Sequence, residues 1–254
     1  MTDISIDLVK QLRDMTGVSI MQCKKALIEA EGDLEKAKIA LTKKSGEIAA
    51  KKGDRELGAG TVVIVNDGGK TIIAEVSCET DFVGKNPDYI KMVEEVAQGI
   101  LVGEDVSEKI NEAIQKFGER IEVTRQEIFE SDNLGKYIHN GLIGVVVEFD
   151  GPVDEAFGKD IAMHIAAQNP KYLSEEDIDP EEKAKAEETL REEVKDKPAE
   201  MQDKILQGKM NSFFKERVLM TQGFIKDPSK SIKNLLEEKG VNIVKFTRFG
   251  VGEA

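Results

Sequence analysis

The sequence predicts an α+β protein, and three observations carry that expectation. Residues 4–44 place apolar side chains at helical spacing. From Thr61 onward, β-branched runs alternate with helical stretches. Residues 174–219 are dense in Glu and Lys, with apolar residues about one helical turn apart, and read as two long helices around a Pro turn. Together these predict an N-terminal three-helix module (1–44), a linker (45–59) and a two-subdomain α+β core with antiparallel sheets. The core subdomains span 60–140 and 141–173 with 220–254. An antiparallel helical hairpin (174–219) is inserted in the second.

The elements follow in order. The first helix carries Leu8, Leu12 and Met15 as a stripe, and Thr16-Gly17 stops it. Ser19 and Gln22 fit a capping box for the second helix, whose stripe is Ile20, Cys23 and Leu27. Gly32 is placed to end that helix, and Asp33 caps a third with Leu34, Ala37 and Leu41 on one face. Residues 44–60 are rich in charge, Ala and Gly, as a linker is. Two β-branched runs flank Asn66-Asp67-Gly68-Gly69, a hairpin signal. A helix opens at Pro87 with Tyr89 or Ile90, Val93, Val96 and Ala97 inward, and a second covers Ser107–Phe117. Residues 119–131 read as a strand, and so does Gly141–Phe149. The next helix carries Phe157, Ile161, Ile165 and Ala166. Both β-rich regions run into a helix ending Ala-Gln, at 97–98 and 167–168, which hints at two related subdomains. Asp227-Pro228 is expected to cap the last helix, which ends at Lys239-Gly240, and Val241–Phe246 gives the final strand.

Charge and cysteine usage narrow the function classes. The net charge is −13; residues 1–55 hold 11 bases and 9 acids, the rest 25 bases and 40 acids. An acidic body repels phosphate backbones, so no direct nucleic-acid role is expected. No apolar run approaches the roughly 18–20 residues that span a bilayer, so no membrane role is expected either. The acidic N-terminal stretch lacks a signal-peptide pattern, which points to a cytoplasmic protein. Cys23 and Cys78 lie far apart and read as small buried apolar residues, with no disulfide framework and no metal motif.

Catalytic constellations are missing from the chain. It has no GxxxxGK[ST] loop, no GxGxxG after a strand, no HExxH and no GxSxG. His164, in the run IAMHIAA, reads as a satisfied packing residue in preference to a base. No catalytic residue, metal or cofactor is therefore expected. The sharpest local oddity is SCETDFVGKNP (77–87), which puts Asp81 and Phe82 in a connection between a strand and a helix. Taken alone, Phe82 reads best as folding back onto the hairpin. The alternative is a protruding wedge for a partner's apolar pocket, with Asp81 beside it for polar groups or a cation.

A family resemblance shifts that choice. Thr16–Leu27 reads T-G-x-x-x-M-x-C-K-K-A-L, residues 78–83 read CETDFV, 137–145 YIHNGLIGV, 161–167 IAMHIAA and 246–253 FTRFGVGE. In this order they resemble the translation elongation factor Ts family over nearly the whole chain. Leu142 stands where members often carry a basic residue, so no polar partner role is assigned to it. The resemblance implies a ubiquitin-associated-like N-terminal module and a guanine-nucleotide exchange factor for elongation factor Tu. It implies binding to the GDP-bound and nucleotide-free partner as a one-to-one heterodimer. Thr80, Asp81, Phe82 and Val83 would enter beside the partner's nucleotide site and disturb its Mg²⁺. Leu12, Ile20, Met21 and His139 would add partner contacts. For Leu12 and Ile20 the reading as internal core stands equally open, whereas Met21 lies off the apolar stripe. A rival reading makes the chain a binding adapter, with the helical module capturing a peptide and the acidic body a spacer.

Overall fold

The computed structural model describes residues 4–51, 55–196 and 198–253, and the protein is α+β. By backbone contacts the chain divides into two compact units. The first comprises Met1–Glu130, Asn140–Ile143 and Phe249–Ala254; the second comprises Ser131–His139 and Gly144–Arg248.

The first unit opens with α1 (Ile6–Thr16), α2 (Ile20–Glu29) and α3 (Leu34–Lys51). Local chemistry sets their ends. Ser5 caps α1 by accepting from the Leu8 amide, and Gly17 ends it in the left-handed region. Ser19 caps α2 through the Gln22 amide, while the Gln22 side-chain oxygen accepts from the Ser19 hydroxyl at 2.8 Å. Asp33 caps α3 through the Lys36 amide at 3.0 Å. Val9, Leu12, Val18, Cys23, Leu27, Ala37 and Leu41 close a small core between the three helices. The α3 helix runs through the first part of the segment expected as a linker, because Ala and Lys there favour helix. Residues 52–54 of that segment lie outside the described residues.

Strands β1 (Ala59–Asp67) and β2 (Lys70–Cys78) then form an antiparallel hairpin in which Val63 faces Ala74. Its two-residue turn, Gly68-Gly69, has positive φ at both positions, the geometry that matches strand twist. The chain continues through α4 (Asp81–Gly84), α5 (Pro87–Leu101) and α6 (Ser107–Phe117) to β3 (Ile121–Phe129), which pairs antiparallel with β2. One face of the sheet β1-β2-β3 packs on α5: Ile72, Ala74, Val76 and Cys78 meet Tyr89, Val93, Val96 and Ala97. Each Val or Ile side chain among them contributes roughly 1.5–3 kcal/mol when fully buried. On the other face, buried Glu75 pairs with Arg125 at 2.5 Å, and Arg125 also donates to the Gly250 carbonyl at 2.6 Å. The tail of the chain is thereby tied to the first sheet.

The second unit holds β4 (Leu134–His139), β5 (Ile143–Phe149) and α7 (Glu155–Gln168), then α8 (Pro180–Glu193) and α9 (Ala199–Arg217). It ends with β6 (Gly223–Phe224), β7 (Asp227–Ser231), α10 (Ile232–Lys239) and β8 (Ile243–Gly250), whose last two residues belong to the first unit. The sheet order is β4-β5-β8, and β6 and β7 make a separate ribbon. Helices α8 and α9 pack on each other across Pro198, with Val194 and Leu206 buried and Lys209 bridging to Glu193 at 2.6 Å.

Three expectations change here. Asp227-Pro228 does not cap the last helix. It starts β7, and the cap is Ser231, which accepts from the Asn234 amide at 3.2 Å in a capping box. Proline tolerates a short edge ribbon because a missing N–H costs little there. The strand expected from Gly141 begins at Ile143, because Asn140 and Gly141 both take positive φ in the turn after β4. Strand β4 has no counterpart among the expected elements: Leu134–His139 contains Gly and Lys and shows no clean alternation.

Candidate partner-binding site

At the end of β2 the chain turns directly into a single helical turn. Cys78 is buried, and its thiol donates to the Thr80 carbonyl at 3.2 Å. Burial pushes that thiol up to about 11, so it packs as a neutral apolar group. Thr80 has extended backbone and caps the turn, its Oγ1 accepting from the Val83 amide at 3.5 Å. The Gly84 and Lys85 amides donate to the Thr80 and Asp81 carbonyls at 3.1 and 3.0 Å. Asn86 then caps α5 through the Asp88 amide, and Pro87 occupies the first helical position. Asp81–Gly84 is thus a capped one-turn helix, where the sequence suggested an open connection.

This turn separates its side chains by direction. Val83 packs inward on the first unit's core. Phe82 is 85 % exposed, so it does not fold back onto the hairpin. Asp81 is exposed beside it and pairs with Lys85 at 2.6 Å, which holds the Asp81 carboxyl below its ordinary range. An ion pair this open to water is weak and readily exchanged.

Supports from outside the turn fix its base. The Thr61 hydroxyl donates to the Gly84 carbonyl at 3.0 Å. A Cβ on Gly84 would stand 3.2 Å from the Gly60 carbonyl oxygen and 3.6 Å from the Cys78 sulfur, so a side chain there would push on the β1 backbone. Glu119, between α6 and β3, accepts from the Glu79 and Thr80 amides at 3.0 Å each and from the Thr80 hydroxyl at 2.6 Å. In return Glu79 accepts from the Arg120 amide at 2.6 Å and from Arg55 at 2.7 Å. No local signal marked Glu119. Its partners are 39 and 40 residues away, and in isolation it reads as one more solvated acid.

The helical module of the same unit offers a second apolar feature. Ile20 and Met21, the first two residues of α2, are 54 % and 82 % exposed. Leu12 requires a correction: it is 0 % exposed inside the module core, so its side chain presents nothing to a partner. The α1 stripe faces inward through Val9 and Leu12, which leaves Met15 exposed.

A family model described as Elongation factor TS matches residues 79–253. The chain belongs to the elongation factor Ts family. The match begins at Glu79, so it includes the Asp81–Gly84 turn, and it continues through the sheet and hairpin of the second unit. Membership implies a nucleotide-exchange factor for elongation factor Tu in translation elongation, an activity that neither makes nor breaks covalent bonds.

His139 ends β4 in the second unit, exposed, with its Nδ1 3.0 Å from the Tyr137 hydroxyl. His164 is buried in α7. The Ile225 amide donates to its Nδ1 at 3.3 Å, so the proton sits on Nε2 and is given to the Gln222 side-chain oxygen at 3.0 Å. Burial lowers its pKa, and the ring is a neutral packing group. Among the described residues, no group of three or more His, Cys, Asp or Glu is arranged to hold a metal ion. No helix among them is long and apolar enough to cross a membrane.

Proposed function

We propose that the chain binds the GDP form of elongation factor Tu in the cytoplasm and releases GDP by inserting Phe82 and Asp81 beside the nucleotide site. The observation that carries this reading is Phe82, 85 % exposed on a turn whose base is tied down by several hydrogen bonds. An exposed aromatic on a rigid mount loses little entropy on docking, which is what a binding anchor needs. Phe82 enters an apolar pocket of the partner. Asp81 exchanges Lys85 for the surroundings of the partner's Mg²⁺. That ion demands near-octahedral oxygen ligands, so displacing them weakens the phosphate site. Thr80 and Val83 set the geometry of the tip.

Magnitudes show that the wedge does not act alone. Burying one Phe contributes about 1.5–3 kcal/mol, or one to two decades of affinity. Further grip comes from Ile20 and Met21 on the helical module (1–44) and from His139 in the second unit. Binding favours the nucleotide-free partner over the GDP-bound one, and linkage then lowers GDP affinity by the same ratio. The helical hairpin of residues 174–219, an inserted coiled coil in this reading, suits a one-to-one heterodimer.

The test is stopped-flow release of a fluorescent GDP analogue from elongation factor Tu. The intact chain accelerates release, and Asp81→Ala combined with Phe82→Ala removes most of the acceleration. No acceleration by the intact chain would end the exchange reading. A double variant as fast as wild type would end the wedge while leaving the family assignment in place. Under the adapter reading, Phe82→Ala would be silent and removal of residues 1–55 would abolish function.

A further inference from the structure

We infer that Glu119 is a positioning residue for nucleotide exchange: acting through Thr80, it sets where Asp81 and Phe82 stand. The inference rests on the reading of the Asp81–Gly84 turn as the exchange element. That turn is only four residues long. Helix nucleation is unfavourable, and a helix this short does not persist on its own hydrogen bonds. Its geometry must come from outside, and the cap is the point where outside groups reach it.

Glu119 is the group that reaches the cap. One carboxylate oxygen accepts from two consecutive amides, Glu79 and Thr80, and the other accepts from the Thr80 hydroxyl. All three bonds are charge-assisted, and Glu119 is half-buried, so water competes with them only in part. The third bond has a directional consequence. A threonine hydroxyl has one proton and two lone pairs. With its proton committed to Glu119, the oxygen turns its lone pairs to the Val83 amide, which is the capping bond. The adjacent pair points the other way, with Glu79 accepting from the Arg120 amide. Residues 79–80 and 119–120 therefore clasp each other reciprocally. The clasp joins the link after β2 to the link before β3, so the sheet, not the turn, dictates the tip's direction.

Release of fluorescent GDP from elongation factor Tu, measured with the full chain over a range of factor concentrations, separates maximal rate from half-saturation. Glu119→Ala lowers the maximal rate about tenfold, the scale expected for losing charged hydrogen bonds. Half-saturation moves by less than about threefold, because the grip of Ile20, Met21 and His139 is untouched. Glu119→Gln keeps an oxygen for the two amides and recovers to within about threefold of wild type. Thr80→Val slows release as well, and the double variant with Glu119→Ala is less than additive, as expected of two groups in one path. Additive effects would overturn the inference, because Glu119 would then act elsewhere. So would wild-type release by Glu119→Ala alongside slow release by Asp81→Ala with Phe82→Ala, an outcome that spares the wedge. If both are silent, the reading of the turn fails and the inference with it. Should Glu119→Ala not fold, hydrogen exchange in Glu119→Asp, whose carboxylate is one methylene shorter and withdrawn from the Thr80 hydroxyl, decides: faster exchange of the Val83 amide supports the path through the cap, and unchanged exchange overturns it.

Discussion

Helices α2 and α4 of the first unit both open on exposed apolar side chains. At α2, Ser19 caps and Ile20 and Met21 follow; at α4, Thr80 caps and Asp81 and Phe82 follow. In both, the side chains just inside the cap point outward, and the chain turns inward one or two residues later, at Cys23 and at Val83 and Gly84. They differ in what holds them. Helix α2 has ten residues and its own buried stripe of Cys23, Ala26 and Leu27. Helix α4 has four residues and borrows its anchors from Thr61, Gly60 and Glu119. A long helix displays a residue through its own core, whereas a single turn displays one through the surrounding sheet. The first is broken by damage to the core beneath it, the second by damage at a distance.

The largest expected effect lies under α2. Leu12→Ala empties a fully buried site in the module core and should cost about 2–5 kcal/mol, read by chemical denaturation. Exchange should suffer only as far as the module unfolds, since Leu12 is fully buried in the module core. If Leu12→Ala weakened the complex with the module's stability intact, the comparison would be wrong on that side. Next comes Gly84→Val. Its branched side chain meets β1 backbone and should cost about 1–3 kcal/mol through overpacking, and it should slow GDP release by displacing the turn. Normal release by a destabilised Gly84→Val would show that the turn does not need its seat. Met21→Ala removes an exposed side chain, so stability should change by less than about 0.5 kcal/mol. The half-saturating concentration should rise up to about tenfold with the maximal rate unchanged, the opposite split to Glu119→Ala.

The smallest effect belongs to Lys85→Ala. The Lys85 hydrogen bond holds the Asp81 carboxyl below its ordinary value of 3.8. Removing the partner should move it back up, seen as a shift of the Asp81 carboxyl resonance on acid titration. A pKa depressed by folding contributes stability that is present at neutral pH and lost as pH falls through the folded value. Lys85→Ala should therefore shrink whatever acid sensitivity the turn has below about pH 4. At neutral pH its GDP release should stay within about twofold of wild type, because exposed pairs contribute little. A large loss would mean that Lys85, too, is one of the turn's anchors.

Legibility in the sequence followed the range of the interaction. Ser19, Asp33 and Pro87 were readable because a cap acts on an amide two or three residues away. The Gly68-Gly69 hairpin and the inward face of α5 were readable for the same reason. Strand β4 was not, since its Gly and Lys obscure alternation and its pairing with β5 supplies the order. At the site, the residues alone favoured a buried Phe82, and the resemblance favoured an exposed one; the ring is exposed. Leu12 and Met21 are both large apolar residues on amphipathic helices, and only the packing of three helices separates a core residue from a surface one.

The sequence by itself determined most of the element types, some of the caps and the family, because periodicity, capping and short motifs are properties of neighbouring residues. The tertiary structure decided that Leu12 is inside and Met21 outside, that Asp81–Gly84 closes into a helical turn, and that Glu119 grips it. The last of these depends on residues about 40 positions apart in the chain meeting within hydrogen-bond distance. Such a meeting is specified by the pairing of β2 with β3, which no short stretch of the sequence contains.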